Sequence, residues 1–441
     1  MNKTIVVTGA TGFVGRKLCL ELFLKGYELK ILCRSTDKAK NIVPLPAEFI
    51  SWNGYEPLSS EIFEGAAGVI HLAGESIASG RWTKKRKEAI LKSRTVTTEI
   101  ICEAINKCQT PPPVLVGASA VGIYGEGFLA EVCKAWENSY QSFKGRLTIV
   151  RTGVVLGHGG ALEKMLLPFR LGGGGKLGDG KQWMSWIHID DLVKIYIHAL
   201  ENSSTPEIVD GVSPEPVTNK EFTKILTKTL GVPAIIPVPK FGLKLIFGEM
   251  SSVLLDSQKV NADSLLNQNF TYSYNTLESA LNSLLRPDGH KGAHVLESYQ
   301  WVNEDKEKVF CFFSEAENLE VITPPWLNFK ITKKSHDKIE EGTLIDYKLK
   351  IKGVPATWKT LISQWSETDS FRDSQLKGPY SKWEHTHRFI SIQGGTLMTD
   401  EVIYKAPMGP IGYVVNEIMI KKDVSTIFKF RNKKIKEIFA D

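Results

Sequence analysis

The sequence has few of the features that would assign it to a specialised class. No stretch of about 18 uninterrupted apolar residues occurs, so no segment is suited to crossing a bilayer. Cysteine is sparse, with six in 441 residues (Cys19, Cys33, Cys102, Cys108, Cys133 and Cys311). None forms a CxxC pair, which argues against a zinc ribbon or disulfide framework and fits a reducing compartment. The start of the chain, Met1-Asn2-Lys3-Thr4-Ile5-Val6-Val7, lacks the charged, apolar and small-residue regions of a signal peptide. A cytoplasmic location is therefore expected. The net charge of +6 is mild and its basic residues alternate with acidic ones. Nucleic acid is not an expected partner; acidic small molecules are. Internal repeats and low-complexity tracts are also missing.

Hydrophobic residues at 42% and charged residues at 24% are ordinary for a soluble globular chain, and 441 residues suggest two domains. From Thr4 to about Leu200, short apolar runs (Ile5–Val7, Leu29–Cys33, Gly68–Leu72, Val114–Ala118, Leu147–Arg151) alternate with helical patterns. This is the rhythm of a parallel sheet wound on both faces by helices. Residues 201–285 contain proline-rich turns and amphipathic segments such as Asn219–Leu230, as in a small substrate lobe. Residues 286–308 have the composition of a linker, with Pro287-Asp288-Gly289 near its start. Beyond it, residues 309–441 carry strand-length runs at Val309–Phe313, Leu344–Ile351 and Thr396–Tyr404. They end in an amphipathic pattern from about Val414 to Phe439, predicting an antiparallel sheet closed by a helix.

Thr8-Gly9-Ala10-Thr11-Gly12-Phe13-Val14-Gly15 follows the first strand directly and opens a helix expected over Arg16–Lys25. Gly9 permits the tight turn, Gly12 lets a pyrophosphate approach the backbone, and Gly15 lets the helix pack close to the strand. The helix N-terminus offers unpaired N–H groups and a positive dipole end. The second strand ends in Arg34, where a site for NAD would usually carry Asp or Glu on the ribose hydroxyl. Unless Arg34 is merely an exposed loop arginine, a guanidinium there suits a 2′-phosphate, so NADP(H) is expected, with Lys38 assisting.

These residues resemble the extended and atypical short-chain dehydrogenase/reductases. The motifs His71-Leu72-Ala73-Gly74-Glu75, Arg81-Trp82-Thr83, Ser93-Arg94, Ala118–Gly125, Trp136-Glu137, Arg151–Gly157 and Ser185–Asp191 narrow the likeness over residues 1–285. They are similar to the nucleoside-diphosphate-sugar epimerase family that also carries a cell-division-inhibitor name. The resemblance implies a doubly wound Rossmann domain with a substrate lobe. It implies that Thr8, Thr11, Phe13, Val14, Leu72, Ala73, Gly74, Glu75 and Ser119 border the cofactor. It also implies that Trp82, Arg151, Met184 and Trp186 line a substrate pocket. Gly378-Pro379-Tyr380, Trp383, His385, His387 and Phe389 resemble the START-like (SRPBCC) superfamily, implying an α+β helix-grip domain that binds an apolar ligand.

In the wider superfamily a Ser, a Tyr and a Lys four residues after the Tyr carry out proton transfer. Ser119 matches the Ser, but Cys133 and Glu137 stand where Tyr and Lys should follow. A carboxylate one turn from a thiol raises the thiol pKa, the opposite of what Lys does for Tyr. Tyr140 and Lys144 form a literal YxxxK further along, read as helix surface. Tyr124 is the better candidate acid/base, with a loop aromatic packing on the lobe as the competing reading. Met184 replaces an Arg that often binds nucleotide phosphate, weakening the expectation of a sugar-nucleotide substrate. His188, Asp190 and Asp191 read as helix capping, and no metal site is expected.

In the C-terminal domain, alternation places Trp383, His385, His387 and Phe389 on one strand face. Trp358 and Tyr380 extend this into an aromatic wall suited to an apolar ligand. His385 and His387 either orient the ligand's polar end, bind metal with Asp400, or are core histidines satisfied by neighbours. Three functions are compatible with all this. One is an NADP(H)-dependent oxidoreductase or epimerase-like enzyme acting on a small molecule. Another is a sensor that binds NADP(H) without turnover. The third is a structural interaction protein with a relic site, which would not bind NADPH.

Overall fold

The structure is a computed structural model that describes residues 3–439, except 234–236, 240, 242–244, 246–247, 291, 408, 410–411 and 413–414. The chain divides into two compact units, Met1–Leu284 and Leu285–Asp441.

The first unit is built on a parallel sheet of β1 (Thr4–Thr8), β2 (Glu28–Cys33), β3 (Ala47–Ser51), β4 (Gly68–His71), β5 (Val114–Ala120), β6 (Arg146–Thr152) and Ile208–Gly211. Two further pairs lie outside this sheet: β7 (Val154–Gly157) with β9 (Trp186–His188), and β8 (Trp183–Met184) with β11 (Val217–Thr218). Ile208–Gly211 is therefore β10, and the main sheet runs in the order β10-β6-β5-β4-β1-β2-β3. The central strands are almost wholly buried, as continuous apolar runs covered on both faces must be. Helices α1 (Phe13–Leu24), α2 (Thr36–Ile42), α3 (Lys84–Asn106), α4 (Phe128–Ser139), α5 (Gly160–Arg170), α6 (Ile189–Glu201) and α7 (Asn219–Leu230) belong to this unit, with shorter helices at Ser252–Leu255, Asp263–Leu266 and Leu277–Leu285. α1 packs with α6 and α3 with α4, consistent with a doubly wound sheet. The strand order reverses between β1 and β4, and ligands of such sheets bind at the carboxyl ends beside that switch.

Two expectations change here. Residues 201–285 are not solely a lobe, because β10 belongs to the main sheet, pairing Asp210 with Arg151. Tyr140, expected on a helix surface, is fully buried. Its ring lies where a Cβ on residue 117 would be, and its hydroxyl donates to the Ala118 carbonyl at 3.3 Å. A glycine inside β5 marks this close approach.

The second unit contains an antiparallel sheet of β12 (His294–Val302), β13 (Lys330–Lys334), β14 (Leu344–Ile351), β15 (Val354–Ser366), β16 (Ser370–Lys377), β17 (Lys382–Ile392) and β18 (Gly395–Lys405). Its order is β12-β18-β17-β16-β15-β14-β13. The expected linker is thus largely structure: β12 pairs with β18 over its whole length, His294 with Tyr404 through to Val302 with Thr396. Val309–Phe313, expected as a strand, lies inside the helix Lys306–Ser314. Of the amphipathic run 414–439, residue 414 lies outside the described residues. The rest forms one π turn, Asn416–Ile420, leading into the helix Lys421–Ile438. Val424, Phe428, Arg431 and Ile435 recur every three or four residues and are that helix's buried face.

Tyr140→Phe is expected to cost only about 1 kcal/mol, for one lost hydrogen bond, whereas Tyr140→Ala costs about 3–5 kcal/mol through the cavity it leaves. Chemical unfolding of the two variants checks this, and equal effects would mean the ring does not fill the core.

Candidate active site

The turn after β1 is shaped by its backbone. Gly9 adopts φ +71°, and a Cβ on it would lie 2.7 Å from the Leu72 carbonyl carbon. A Cβ on Gly15 would lie 2.2 Å from the Gly9 oxygen, so only glycine lets α1 begin here. Gly12 is the N-cap of α1 and no side chain caps it. Thr11 and Gly12 are exposed, leaving the first-turn N–H groups open to an anion. Phe13 turns its ring onto Gly157, Gly159 and Gly160, Val14 is half-buried, and Arg34 and Lys38 are exposed at the end of β2 and on α2. Arg34 makes no ion pair among the described residues. An open helix end beside an uncommitted guanidinium is a donor set suited to a phosphorylated dinucleotide.

The loop Leu72–Glu75 is held from below. Thr8 Oγ1 bonds His71 Nδ1 at 2.6 Å and accepts from the Ala73 N–H at 3.2 Å. Burial pushes His71 down to about 3, so the imidazole stays neutral. Arg94, lying beneath Gly74, donates to the Glu75 carbonyl at 3.1 Å, and Ser93 Oγ accepts from the Glu75 N–H at 2.9 Å. Arg86 pairs with the Glu75 carboxylate at 2.8 Å. The Ser93-Arg94 motif thus fastens the loop that borders the turn.

Across the carboxyl ends of three adjacent strands, the register sets Ser119 beside Arg151 and Arg151 beside Asp210. Ser119 Oγ donates to Glu137 Oε1 at 2.7 Å. Arg151 grips Glu137 with two bonds, Nε to Oε1 at 2.8 Å and Nη2 to Oε2 at 2.7 Å. Its Nη1 donates to the Tyr124 hydroxyl at 2.7 Å, and that hydroxyl donates to Asp210 Oδ1 at 3.0 Å. Burial raises Tyr124 and Asp210 above their ordinary pKa values, while the bond to Glu137 raises Arg151. Burial also pushes the Cys133 thiol up to about 11, with Glu137 adding to the shift. Cys133, considered as a catalytic residue, is therefore a protonated, buried thiol, and Glu137 is committed to Arg151 and Ser119.

Among the residues expected to line the pocket, Trp186 is instead core: it is fully buried with its indole N–H on the Glu215 carbonyl at 2.8 Å. Met184 is half-buried in β8, and Trp82 meets Phe128 edge-on. His188 caps α6, accepting from the Asp190 N–H at 3.1 Å, and Asp191 accepts from the Ser273 and Tyr274 N–H groups. Asp210 escaped the sequence reading, although an Asp ending an apolar run before Gly211 was its visible signal.

A strand, glycine-rich turn and helix beside a polar cluster at the sheet's carboxyl edge define a Rossmann-type protein of the extended short-chain reductase class. Residues 5–131 and 128–210 match the NAD dependent epimerase/dehydratase family, and residues 238–284 match a domain of unknown function, DUF1731. The chain is 36% identical over 309 residues to an Arabidopsis thaliana chloroplastic SDR39U1 homolog, covering 64% of this chain and 87% of the relative. It is 34% identical to the Bacillus subtilis epimerase family protein YfhF, covering 64% and 97%. The human epimerase family protein SDR39U1, crystallised with NADPH, shares 33% identity at a TM-score of 0.57, covering 64% of this chain and 98% of that one. Through its first unit, the chain belongs to the epimerase family of which these proteins are members.

In the second unit, a cavity of about 520 Å³ is lined by Trp358, Tyr380, Trp383, His385 and His387, with Asp373 and Arg431. Asp400 lies behind the histidines: burial alone would raise its pKa, but Arg431 and the two imidazoles hold it well below the ordinary range.

Arg151→Met is expected to destabilise the first unit by about 3–5 kcal/mol, because it leaves the Glu137 carboxylate enclosed without its counter-charge. Adding Glu137→Gln should recover most of that loss. Urea unfolding measures both, and equal losses in the single and double variants would show that the two side chains act independently.

Proposed function

We propose that the first unit binds NADP(H) and uses it to oxidise or reduce a small molecule at Ser119 and Tyr124. The observation that carries this reading is the hydrogen-bonded chain Arg151–Tyr124–Asp210. The bound cofactor supplies or accepts the hydride. The Tyr124 hydroxyl, about half exposed, takes up a proton from a substrate hydroxyl as it passes its own to Asp210, and reduction runs the same transfer backward. Arg151 holds the phenol oxygen in place throughout. Arg151 supplies the positive charge that Lys supplies in the usual Tyr-Lys pair, and Asp210, raised by burial, is the acceptor of the phenol proton. Ser119, set beside Arg151 by strand register, donates its hydroxyl hydrogen bond to Glu137. Arg34 and Lys38 supply the preference for a 2′-phosphate, and the human relative crystallised with NADPH supports it.

The second unit we read as a START-like helix-grip domain holding an apolar ligand in its 520 Å³ cavity. A non-catalytic, NADP(H)-sensing role is favoured by a different observation: both the Ser119 and Tyr124 hydroxyls already donate to carboxylates.

Calorimetry should show NADPH binding more tightly than NADH, with Arg34→Ala weakening NADPH at least about tenfold and leaving NADH unchanged. An unaltered preference overturns the assignment. Against a panel of aldehydes and ketones, NADPH consumption should be lost in Tyr124→Phe and Asp210→Asn while NADPH affinity stays within about twofold, as expected of groups acting in the transition state. Firm NADPH binding with no turnover of any panel member would favour the sensor.

A further inference from the structure

We propose that Asp373, His385 and His387 form a divalent transition-metal site opening into the cavity of the second unit. Strand alternation puts His385 and His387 on one face of β17. The register sets Asp373 of β16 beside His385, and Asp400 of β18 beside His387. Asp400 Oδ1 lies 3.0 Å from His385 Nε2, 2.9 Å from His387 Nδ1 and 3.2 Å from Arg431 Nη2. Arg431, which only donates, also approaches these nitrogens, at 3.5 Å from His385 Nε2 and 3.1 Å from His387 Nδ1, but the contacts to Asp400, which only accepts, are shorter and place the ring hydrogens there; in neutral imidazoles the opposite nitrogens then present lone pairs.

Those opposite nitrogens, His385 Nδ1 and His387 Nε2, each lie 3.4 Å from Asp373 Oδ2. Three lone-pair atoms thus converge, an arrangement that a proton or a metal cation relieves. The edge of a tetrahedron around zinc, with bonds of about 2.0–2.1 Å, is about 3.3–3.4 Å. The three ligand atoms all lie within 4.8 Å of one another. Imidazoles that ligate metal usually give their other N–H to a carboxylate, which fixes ring and tautomer. Asp400 does this for both rings, and Arg431 secures Asp400 from the last helix.

Three protein ligands leave a coordination position open, and it faces the cavity. Two neutral imidazoles and one carboxylate leave a divalent ion with an excess positive charge, which suits an anionic oxygen on the ligand. The indole Nε1 of Trp358, buried in the same lining and without an acceptor among the described residues, offers the ligand a further donor. The ligand class is therefore an apolar body with a carboxylate or enolate head. This last step rests on the second unit being a ligand binder; the metal site does not.

The test is titration of the metal-stripped full chain with Co²⁺, followed by visible absorption, and with Zn²⁺, followed by calorimetry. One equivalent should bind with micromolar or tighter affinity, with Zn²⁺ displacing Co²⁺. Asp373→Asn, an isosteric change at the cavity wall whose folding circular dichroism verifies, should weaken binding by more than about 100-fold, and Asp400→Asn by about 10–100-fold. No saturable binding by the folded wild type overturns the proposal, as does binding that survives Asp373→Asn, which would place the ion on cysteines or elsewhere. A fluorescent long-chain carboxylic acid should bind the zinc-loaded chain and not the stripped one. If metal binds as described and the acid does not, the ligand reading fails and the metal site stands.

Discussion

The bidentate grip of Arg151 on Glu137 is the constraint on which the candidate active site depends. It ties the end of β6 to α4, fixes the carboxylate that receives the Ser119 proton, and leaves one guanidinium nitrogen for the phenol of Tyr124. Because both partners are largely enclosed, the pair is stable only with its geometry complete. The same grip explains why Cys133 and Glu137 do not reproduce a Tyr-Lys pair. The positive charge expected of the Lys is present, but it arrives from a neighbouring strand and is directed at Tyr124.

The cofactor turn was legible in sequence because its requirement is local. A left-handed turn and a close helix demand glycine at Gly9 and Gly15 whatever surrounds them, and the strand before them is a plain β-branched run. The parallel sheet was equally legible from its buried strands. The neighbours of Arg151 are not: strand register sets Ser119 on one side of it and Asp210 on the other, and no spacing along the chain encodes that. β12 reads as linker because its polar and apolar residues alternate weakly, as an edge strand permits. Five apolar residues at Val309–Phe313 are too few to separate strand from buried helix by period alone. Tyr140 was misplaced because its burial depends on a glycine in another element.

In the second unit, alternation along β17 was enough to gather His385 and His387 on one face. The sequence offers Asp400 as a carboxylate beside them, which the structure places against both rings, and gives no indication of Asp373. Asp373 and Asp400 are opposite neighbours only after β16, β17 and β18 are paired, and Arg431 comes from a helix packed across that face. Both units therefore place their chemistry at cross-strand neighbours, where sequence distance is largest and spatial distance smallest.

The last helix brings Arg431 within the same stripe as Val424, Phe428 and Ile435. Apolar residues alone would let such a helix settle at several positions along the sheet, since one turn of sliding presents a similar surface. A slide of one turn, about 5.4 Å, would carry the guanidinium away from Asp400 and leave that buried carboxylate without its counter-charge. The ion pair thus works as a positional key: it gives the helix a single seating, and with it a single shape to the cavity wall.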